Sequence, residues 1–133
     1  DNARQPMQWN SEGGFSSAKP WLKMNKNTKV INVDMQLTDD QSILNYYKTL
    51  ISLRKSNPVF LDGIFKPLYN KRGIFIFSRE LANHLAFVIL NLTNKPKKIP
   101  IKIEGKLLLS NLEDKTIDER HLKPFEARII DRK

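Results

Sequence analysis

The chain of 133 residues contains no cysteine, only 5 glycines and no long uninterrupted apolar run. The absence of cysteine excludes a disulfide framework and thiolate metal sites, and it fits a cytoplasmic protein best. Separately, we expect no metal and no cofactor. A membrane-spanning helix needs roughly 18 consecutive apolar residues. No segment of the sequence approaches that length, so we expect no membrane partner.

The charge of the chain is strongly positive but is not concentrated in one place. Lys and Arg total 23 against 14 Asp and Glu, which gives a formal net charge of +9. A net charge of this size raises the hypothesis of a nucleic-acid-binding domain. The one tight basic run is Lys95-Pro96-Lys97-Lys98, which we interpret as a turn that carries lysines. We therefore rank nucleic-acid binding low and expect no nucleic-acid partner.

The N-terminal part of the sequence predicts an irregular segment followed by one long helix. Residues 1–37 sustain neither a period of 2 nor one of 3.6. Thr38 and Gln41 have the spacing of a capping box, and apolar residues recur at intervals of three and four from Ile43. Asn57-Pro58 supplies a stop signal. We therefore predict a helix over about residues 39–56, with an apolar face wide enough to be covered from more than one direction.

Beyond this stop signal the hydrophobic period changes to 2, which is typical of strands. Short segments separated by turns predict an antiparallel sandwich or barrel over residues 58–133. The predicted strands are residues 60–69, 74–77, 85–92, 99–103, 107–109 and 126–131. Asn91-Leu92-Thr93 matches a glycosylation pattern, but we interpret it as a strand end.

The strand-rich part shows no pattern that indicates a catalytic centre. His84 and His121 are far apart in sequence, so we assign both to surface or turn positions. The acidic pairs are adjacent in sequence, whereas glycosidase chemistry needs two carboxyl groups held across a pocket. Those pairs are Asp39/Asp40, Glu113/Asp114 and Asp118/Glu119.

The opening stretch, residues 1–10, is the part that indicates a binding site. The guanidinium of Arg4 can form paired hydrogen bonds, and Asp1 and Asn2 offer the polar groups that hold sugar hydroxyls. Trp9 would supply an apolar wall. The alternative is structural: Arg4 pairs with Asp1 to brace a loop, and Trp9 fills a crevice.

Several segments of the sequence resemble α-glucosidases of the α-amylase superfamily, glycoside hydrolase family 13. The resemblance is to oligo-1,6-glucosidases, glucan 1,6-α-glucosidases and trehalose-6-phosphate hydrolases. It departs from the usual pattern at Gln5, where Thr is usual, and at Asn10, where Asp is usual. The segments that carry it are Asp1-Asn2-Ala3-Arg4, Pro6-Met7-Gln8-Trp9, Gly14-Phe15-Ser16-Ser17, Pro20-Trp21, Ile31-Asn32-Val33, residues 42–48 and residues 50–55.

This resemblance implies the C-terminal portion of a longer enzyme. Residues 1–57 would be the end of a (β/α)8 barrel, with a loop over 1–37 and the last barrel helix over about 39–56. Residues 58–133 would be an antiparallel β-sandwich of Greek-key type, called domain C. The catalytic Asp, Glu and Asp of such enzymes would lie upstream, so no catalytic residue is expected here. Arg4, Asp1 and Asn2 would lie near the substrate in the intact enzyme.

The implied function is that of a retaining, exo-acting α-glucosidase that hydrolyses short α-glucosides. Among these, 1,6-linked oligosaccharides are the substrates we rank first. Within it this chain would be structural, packed on its own catalytic barrel, and inactive when isolated. The alternative is an independent carbohydrate-binding β-sandwich module. Without the barrel, we expect the loop and helix to leave apolar surface open, through which the fragment would self-associate.

Overall fold

The computed structural model describes residues 2–112 and 118–132 and divides into two compact units. Unit 1 is Asp1–Ile51 and unit 2 is Ser52–Lys133. A 3-10 helix, Asn2–Arg4, comes first in the described part. The helices are α1 (Val33–Thr38), α2 (Ile43–Ser56) and α3 (Pro58–Leu61), and the strands are β1 (Ile64–Lys71), β2 (Ile74–Leu81), β3 (His84–Asn91), β4 (Lys97–Lys98), β5 (Lys106–Ser110), β6 (His121–Leu122) and β7 (Ala127–Arg132).

Helix α1 covers residues 33–38, so the prediction that residues 1–37 are irregular was wrong over residues 33–37. Asn32 forms its N-cap, because the side-chain oxygen of Asn32 accepts from the Met35 amide at 3.0 Å. Asn32 is buried and also donates to the carbonyl of Thr28 at 2.9 Å. An Asn cap satisfies helix donors that would otherwise lack a partner, and this allows so short a helix to form.

Helix α2 begins at Ile43, four residues later than predicted from the sequence. The hydroxyl oxygen of Ser42 accepts from the Asn45 amide at 3.1 Å, so Ser42 is the residue at the capping position. Thr38 instead belongs to α1, where its hydroxyl donates to the Met35 carbonyl. The predicted capping box was therefore wrong, although the helix itself and its end before Pro58 are confirmed.

A short helix, α3, takes the place of the first part of a predicted strand. The side chain of Asn57 accepts from the Val59 amide, and Pro58 occupies the first turn, where a missing amide hydrogen costs nothing. Gly63 separates α3 from β1. A side chain there would lie 2.3 Å from the Val59 carbonyl, so only glycine fits. The strand prediction for residues 60–69 was wrong over α3 and correct from Ile64.

The main sheet of unit 2 is antiparallel, with strand order β1-β2-β3-β7-β5. Strands β1 and β2 are joined by a two-residue turn at Arg72 and Gly73, both with positive φ. Positive φ at both turn residues is the pattern that suits the twist of a hairpin. Pro67 lies in the edge strand β1, beside a shift in register. Proline is tolerated there because an edge strand has an unpaired side.

Both faces of this sheet carry apolar residues that pack against other elements. On one face a cluster of Ile74, Ile76, Phe87, Ile89 and Ile130 packs against Ile99 and Leu122. On the other face Val59 and Phe60 of α3 pack with Ala86, and Leu53 of α2 lies against them. The last turns of α2 therefore contribute to the core of unit 2.

The two-stranded sheet of β4 and β6 differs from what the sequence predicted. Residues 99–103 were expected to form a strand, yet the strand is limited to Lys97–Lys98 and Pro100 lies beyond it. Ile99 is nevertheless buried, and Ile101 and Ile103 pack against the same cluster. Strand β6, which was not predicted, pairs with β4.

The fold class expected from the sequence, a mainly antiparallel β structure with one long helix, is confirmed. The sandwich and Greek-key details stay predictions, as does the division at residues 57 and 58 into barrel end and domain C. In the described part of the chain, no helix combines the length and apolar character needed to cross a membrane.

Candidate functional site

The candidate site of unit 1 is built around Arg4 and Trp21. The guanidinium carbon of Arg4 lies 5.9 Å from the centre of the Trp21 ring. That separation is within the range of a cation–π interaction. Trp21 is 84% exposed. The exposed indole offers a ligand an apolar surface, and the guanidinium beside it adds a positive charge.

The other two predicted site residues are described less fully. Asp1 lies outside the described residues, so the predicted pairing of Asp1 with Arg4 lies outside them too. Asn2 contributes backbone to the 3-10 helix that ends at Arg4. Trp9, predicted either as a wall or as a filler of a crevice, is about half exposed.

A tight turn shapes the chain immediately after Trp9. The Trp9 amide donates to the Gly13 carbonyl at 2.7 Å, and the Gly13 amide donates to the Asn10 carbonyl at 2.9 Å. Gly13 and Gly14 both have positive φ, a conformation that glycine adopts at little cost. The glycine pair in the sequence is therefore required by this turn.

Gln8 fixes the opening stretch against a segment about twenty residues further along. Its side-chain amide nitrogen donates to the Asn27 side-chain oxygen at 3.0 Å and to the Ile31 carbonyl at 2.5 Å. The Gln8 carbonyl in turn accepts from the Val33 amide at 2.9 Å. The Asp34 amide donates to the Trp9 carbonyl at 3.0 Å. The start of α1 therefore holds the loop that carries Arg4.

Gln8 and Asn27 are the residues that sequence reasoning missed as elements of this site. Gln8 was noted only as part of the resemblance, and Asn27 was not singled out. A polar pair nineteen residues apart leaves no periodic signal. The recurrence of Ile31-Asn32-Val33 in the resemblance was the one available hint that this segment supports the loop.

Unit 1 exposes an unusual amount of large apolar side chain. A soluble domain rarely leaves many such residues in water unless something else covers them. This exposure agrees with the expectation that the loop and helix need a further surface to pack against. The exposed residues are Met7, Trp9, Phe15, Trp21, Val30, Ile31, Met35, Leu37, Ile43, Tyr47 and Ile51.

In unit 2 each histidine is paired with an aspartate of the same unit. His84 is paired with Asp131 across strands β3 and β7, and His121 contacts Asp118 at 3.0 Å. The Arg120 amide and then the His121 side chain hold the pKa of Asp118 below its usual range. His121 is exposed, as the sequence predicted, whereas His84 begins β3 and is partly buried, so the surface or turn position predicted for it was wrong.

In the described part of the chain, Asp39 and Asp118 of the acidic pairs accept from nearby backbone amides. Asp39 accepts from the Gln41 amide and so shapes the turn between α1 and α2. Glu113 and Asp114 lie outside the described residues. Among residues 2–112 and 118–132, no three His, Cys, Asp or Glu side chains are grouped so that they could hold a metal ion.

Aromatic side chains form a short row on β1 and β2 of unit 2. The ring centres of Phe65 and Phe77 are 5.1 Å apart, and those of Phe75 and Phe77 are 5.5 Å apart. Phe65 is about half exposed, whereas Phe60 and Phe87 are buried in the core. This row is the feature of unit 2 that most resembles a surface for stacking a sugar.

Asn91 ends β3 and is unsuited to glycosylation in this fold. It is buried, and its amide nitrogen donates to the carbonyls of Lys95 and Lys123, both at 2.8 Å. The interpretation of residues 91–93 as a strand end is confirmed.

Comparisons with known proteins match both units. The family described as "Alpha amylase, catalytic domain" matches residues 1–63. The probable oligo-1,6-glucosidase 3 of Bacillus subtilis is 39% identical over 97% of this chain. An α-glucosidase of Candida albicans is 37% identical over 97% of the chain.

Solved structures agree with these relatives. Trehalose-6-phosphate hydrolase of Bacillus licheniformis is 31% identical and superposes on 98% of the chain with a TM-score of 0.87. Isomaltulose synthase of Erwinia rhapontici is 28% identical, with a TM-score of 0.88. The chain spans about a quarter of the length of these proteins: 25% of the B. subtilis relative, 24% of the C. albicans relative, 26% of the hydrolase and 25% of the synthase.

Proposed function

We propose that this chain, which is similar to α-amylase-family α-glucosidases, is the C-terminal portion of a retaining, exo-acting α-glucosidase. The substrates proposed for the intact enzyme are short α-glucosides, among which we rank 1,6-linked oligosaccharides first. The observation that carries the proposal is that relatives named oligo-1,6-glucosidase match 97% of the chain, and so parts of both units.

Retention of configuration requires a nucleophilic carboxylate and an acid/base carboxyl on opposite sides of the scissile bond. In the proposal these groups, and the third catalytic carboxylate, come from the larger part of the enzyme that these 133 residues do not include.

The contribution of unit 1 to the proposed reaction is to help form the wall of the substrate pocket. Arg4 ends the 3-10 helix four residues before Gln8, whose side chain donates to Asn27, and Arg4 lies beside the exposed ring of Trp21. We assign Arg4, with Asp1 and Asn2, a position near the bound sugar. A guanidinium there would donate to sugar hydroxyls without taking part in bond cleavage.

The contribution proposed for unit 2 is structural. It would act as domain C, as an antiparallel β-sandwich, and pack with unit 1 on the catalytic barrel of the intact enzyme. A cytoplasmic location is part of the same proposal, supported by the complete lack of cysteine.

The second candidate, an independent carbohydrate-binding module, is favoured only by the row of Phe65, Phe75 and Phe77. Isothermal titration of the chain with isomaltose and with a longer α-glucan separates the two candidates. Binding that Phe65→Ala abolishes would favour the module. The α-glucosidase proposal expects no such binding.

Activity measurements on the 133 residues alone test the main proposal. The chain should release no aglycone from an aryl α-glucoside, because the proposed catalytic carboxylates are absent. If the chain still releases aglycone faster than the buffer blank after it has been repurified, a complete catalytic centre lies within the chain. That result would contradict the proposal.

A further inference from the structure

Three turn segments meet at one end of the main sheet of unit 2. The Leu92 amide donates to the Gly73 carbonyl at 2.8 Å, and the Phe125 amide donates to the Thr93 carbonyl at 3.0 Å. These bonds join each segment to its neighbour, so the three segments form one surface, which we call the basic end. The segments are residues 71–73, 92–95 and 123–126.

Buried Asn91 fixes these segments against one another. Its amide nitrogen donates to the carbonyls of Lys95 and Lys123, and its side-chain oxygen accepts from the Thr93 amide at 3.0 Å. Gly73 packs closely on Thr93, because a side chain at position 73 would lie 2.2 Å from the Thr93 methyl group. The fold therefore holds the basic end in a defined shape.

The exposed charge of the basic end is positive. Lys71, Arg72 and Lys95 are all exposed. Within the three segments, all of whose residues the structure describes, the one acid is Glu126. Glu126 is buried and accepts from Arg128 at 2.6 Å, so its charge is compensated inside the fold. A surface of this kind attracts an anionic partner.

Two large apolar side chains lie in water among these cations. Leu92 is 63% exposed and Phe125 is 60% exposed. Phe125 also has a φ of 53°, a conformation that is unusual for a bulky residue. Neither burial nor backbone preference accounts for a phenylalanine at this position. An unfavourable conformation that the fold does not need is a reason to look for a function of the side chain.

The basic end lies at the opposite end of β2 from helix α3. Arg79 donates to the carbonyls of Phe60 and Leu61 in α3, whereas Gly73 precedes the first residue of β2. Six residues of extended strand separate Gly73 from Arg79 by about 20 Å. The contacts that fix α3 to the sheet therefore leave the basic end uncovered.

We propose that the basic end binds the surface of an anionic lipid bilayer. Leu92 and Phe125 enter the boundary between headgroups and acyl chains, and the cations Lys71, Arg72 and Lys95 lie against the lipid phosphates. Turns at the end of a sheet project outward, a shape that suits a flat surface. Exposed cations alone would suit any polyanion, but exposed apolar side chains among them suit a bilayer.

This binding is independent of the proposed α-glucosidase activity, because the basic end lies wholly in unit 2. It also goes beyond the expectation of no membrane partner, which considered spanning segments alone. Contact with a bilayer surface needs no spanning helix.

Cosedimentation of the chain with lipid vesicles tests the proposal. The vesicles contain phosphatidylcholine alone or phosphatidylcholine with about one third phosphatidylglycerol. The chain should bind the anionic vesicles at about 0.1 M salt and should bind them less at about 0.5 M salt, because salt screens the attraction. It should not bind the neutral vesicles.

Phe125→Asn is the decisive variant. Asparagine adopts positive φ more readily than phenylalanine, so the fold should be retained, and thermal unfolding by circular dichroism checks this. The partition coefficient for anionic vesicles should fall at least about fivefold, since the apolar side chain is lost. Phe65→Asn removes a half-exposed ring outside the basic end and should leave binding unchanged.

Lys95→Gln tests the contribution of charge. Each cation near an anionic surface is worth roughly fivefold in binding, so this variant should weaken binding by about that factor. Lys106→Gln is the matched control, because Lys106 is exposed and pairs with Asp131 at the opposite end of β7 from Ala127. It should bind like the unmodified chain.

Other partners give different results. Retention on heparin without binding to anionic vesicles would identify a soluble polyanion as the partner and would overturn the proposal. A dimer in sedimentation that Phe125→Asn converts to a monomer, again without vesicle binding, would show that a second copy covers the surface. Vesicle binding that Phe125→Asn leaves intact, or that neutral vesicles support equally, would also overturn it.

Discussion

The side-chain amide of Gln8 donates to the side-chain oxygen of Asn27 at 3.0 Å, across nineteen residues of chain. This bond and the one from Gln8 to the Ile31 carbonyl join the loop that carries Arg4 to the segment that leads into α1. The position of the loop that carries Arg4 therefore depends in part on the neutral side-chain amide of Gln8.

Gln8→Ala should loosen unit 1 selectively. The substitution removes both bonds, and we expect a loss of about 1–2 kcal/mol in the free energy of unfolding. Both tryptophans lie in unit 1, so urea unfolding followed by tryptophan fluorescence reports on that unit. Gln5→Ala, at an exposed position, is the control. Equal effects of the two substitutions would contradict the bracing role of Gln8.

Arg54 and Arg79 should stabilise α3 jointly. Arg79 donates to the carbonyls of Phe60 and Leu61 at 3.3 and 3.1 Å, and Arg54 donates to the same Phe60 carbonyl. Hydrogen bonds from charged donors contribute about 1.5–3 kcal/mol. Arg54→Gln should therefore destabilise unit 2, while Lys55→Gln should not. Equal Tm values for the two variants in thermal unfolding would contradict the stabilising role assigned to Arg54.

Arg128 and Glu126 should behave as a buried ion pair. Arg128 is 2% exposed; its Nε donates to Glu126 Oε1 at 2.6 Å, and its terminal nitrogens donate to the carbonyls of Asp118 and His121. Breaking such a pair by removing one partner costs about 3–5 kcal/mol. We expect Arg128→Met to destabilise the chain by that amount in chemical denaturation.

The exposed pair Lys66–Glu80, with the same 2.6 Å separation, is the control for that prediction. Exposed pairs contribute at most about 1 kcal/mol. Lys66→Met should therefore have a small effect, and a cost equal to that of Arg128→Met would show that burial is not the deciding factor.

The pH dependence of Asp118 follows from its contacts. Its pKa is lowered chiefly by the Arg120 amide and next by the His121 side chain. Because the folded pKa lies below the unfolded one, the stabilising contribution is present above the unfolded pKa and disappears as pH falls through the folded one. NMR titration of the carboxyl carbon should give a midpoint below the usual Asp value of about 3.9.

His121→Ala should move that midpoint upward without restoring the usual value, since the Arg120 amide remains. Full restoration by this variant would assign the whole shift to the histidine instead. Asp118→Asn identifies the signal by removing it.

The helix and hairpins could be predicted because their signals are local. The period of α2, the stop at Pro58 and the turn at Gly73 each lie within a few residues of the structure they specify. Strand β6 could not be predicted because a two-residue strand is too short to show alternation in the sequence. The cap of α2 at Ser42 could not be predicted because Thr38 is also a residue type that caps helices. The helix α3 was mistaken for a strand because its four apolar residues are too few to show a helical period.

The candidate site was predictable only in part. Arg4 was identified by its chemistry and by resemblance, and the structure adds its position beside Trp21. Its support by Gln8, Asn27 and α1 depends on contacts between distant segments, which no single-sequence pattern encodes.

Arg4 should matter for substrate binding in a graft, a protein in which residues 1–133 replace the matching quarter of the B. subtilis relative. A charged donor to a sugar hydroxyl is worth about 1.5–3 kcal/mol, so Arg4→Ala should reduce kcat/KM for isomaltose by roughly tenfold to a hundredfold. Lys23→Ala, which removes another exposed cation of unit 1, should leave kcat/KM unchanged. If the two variants have the same kcat/KM, Arg4 does not bind the substrate, and the assignment of Arg4 to the substrate pocket is wrong.

The most direct measurement of the central claim is the hydrolysis of isomaltose by the graft. If these 133 residues are the corresponding portion of an α-glucosidase, the graft should release glucose, whereas the B. subtilis enzyme with that quarter deleted should not. A graft that folds, with a cooperative thermal transition, but releases no glucose would contradict the assignment.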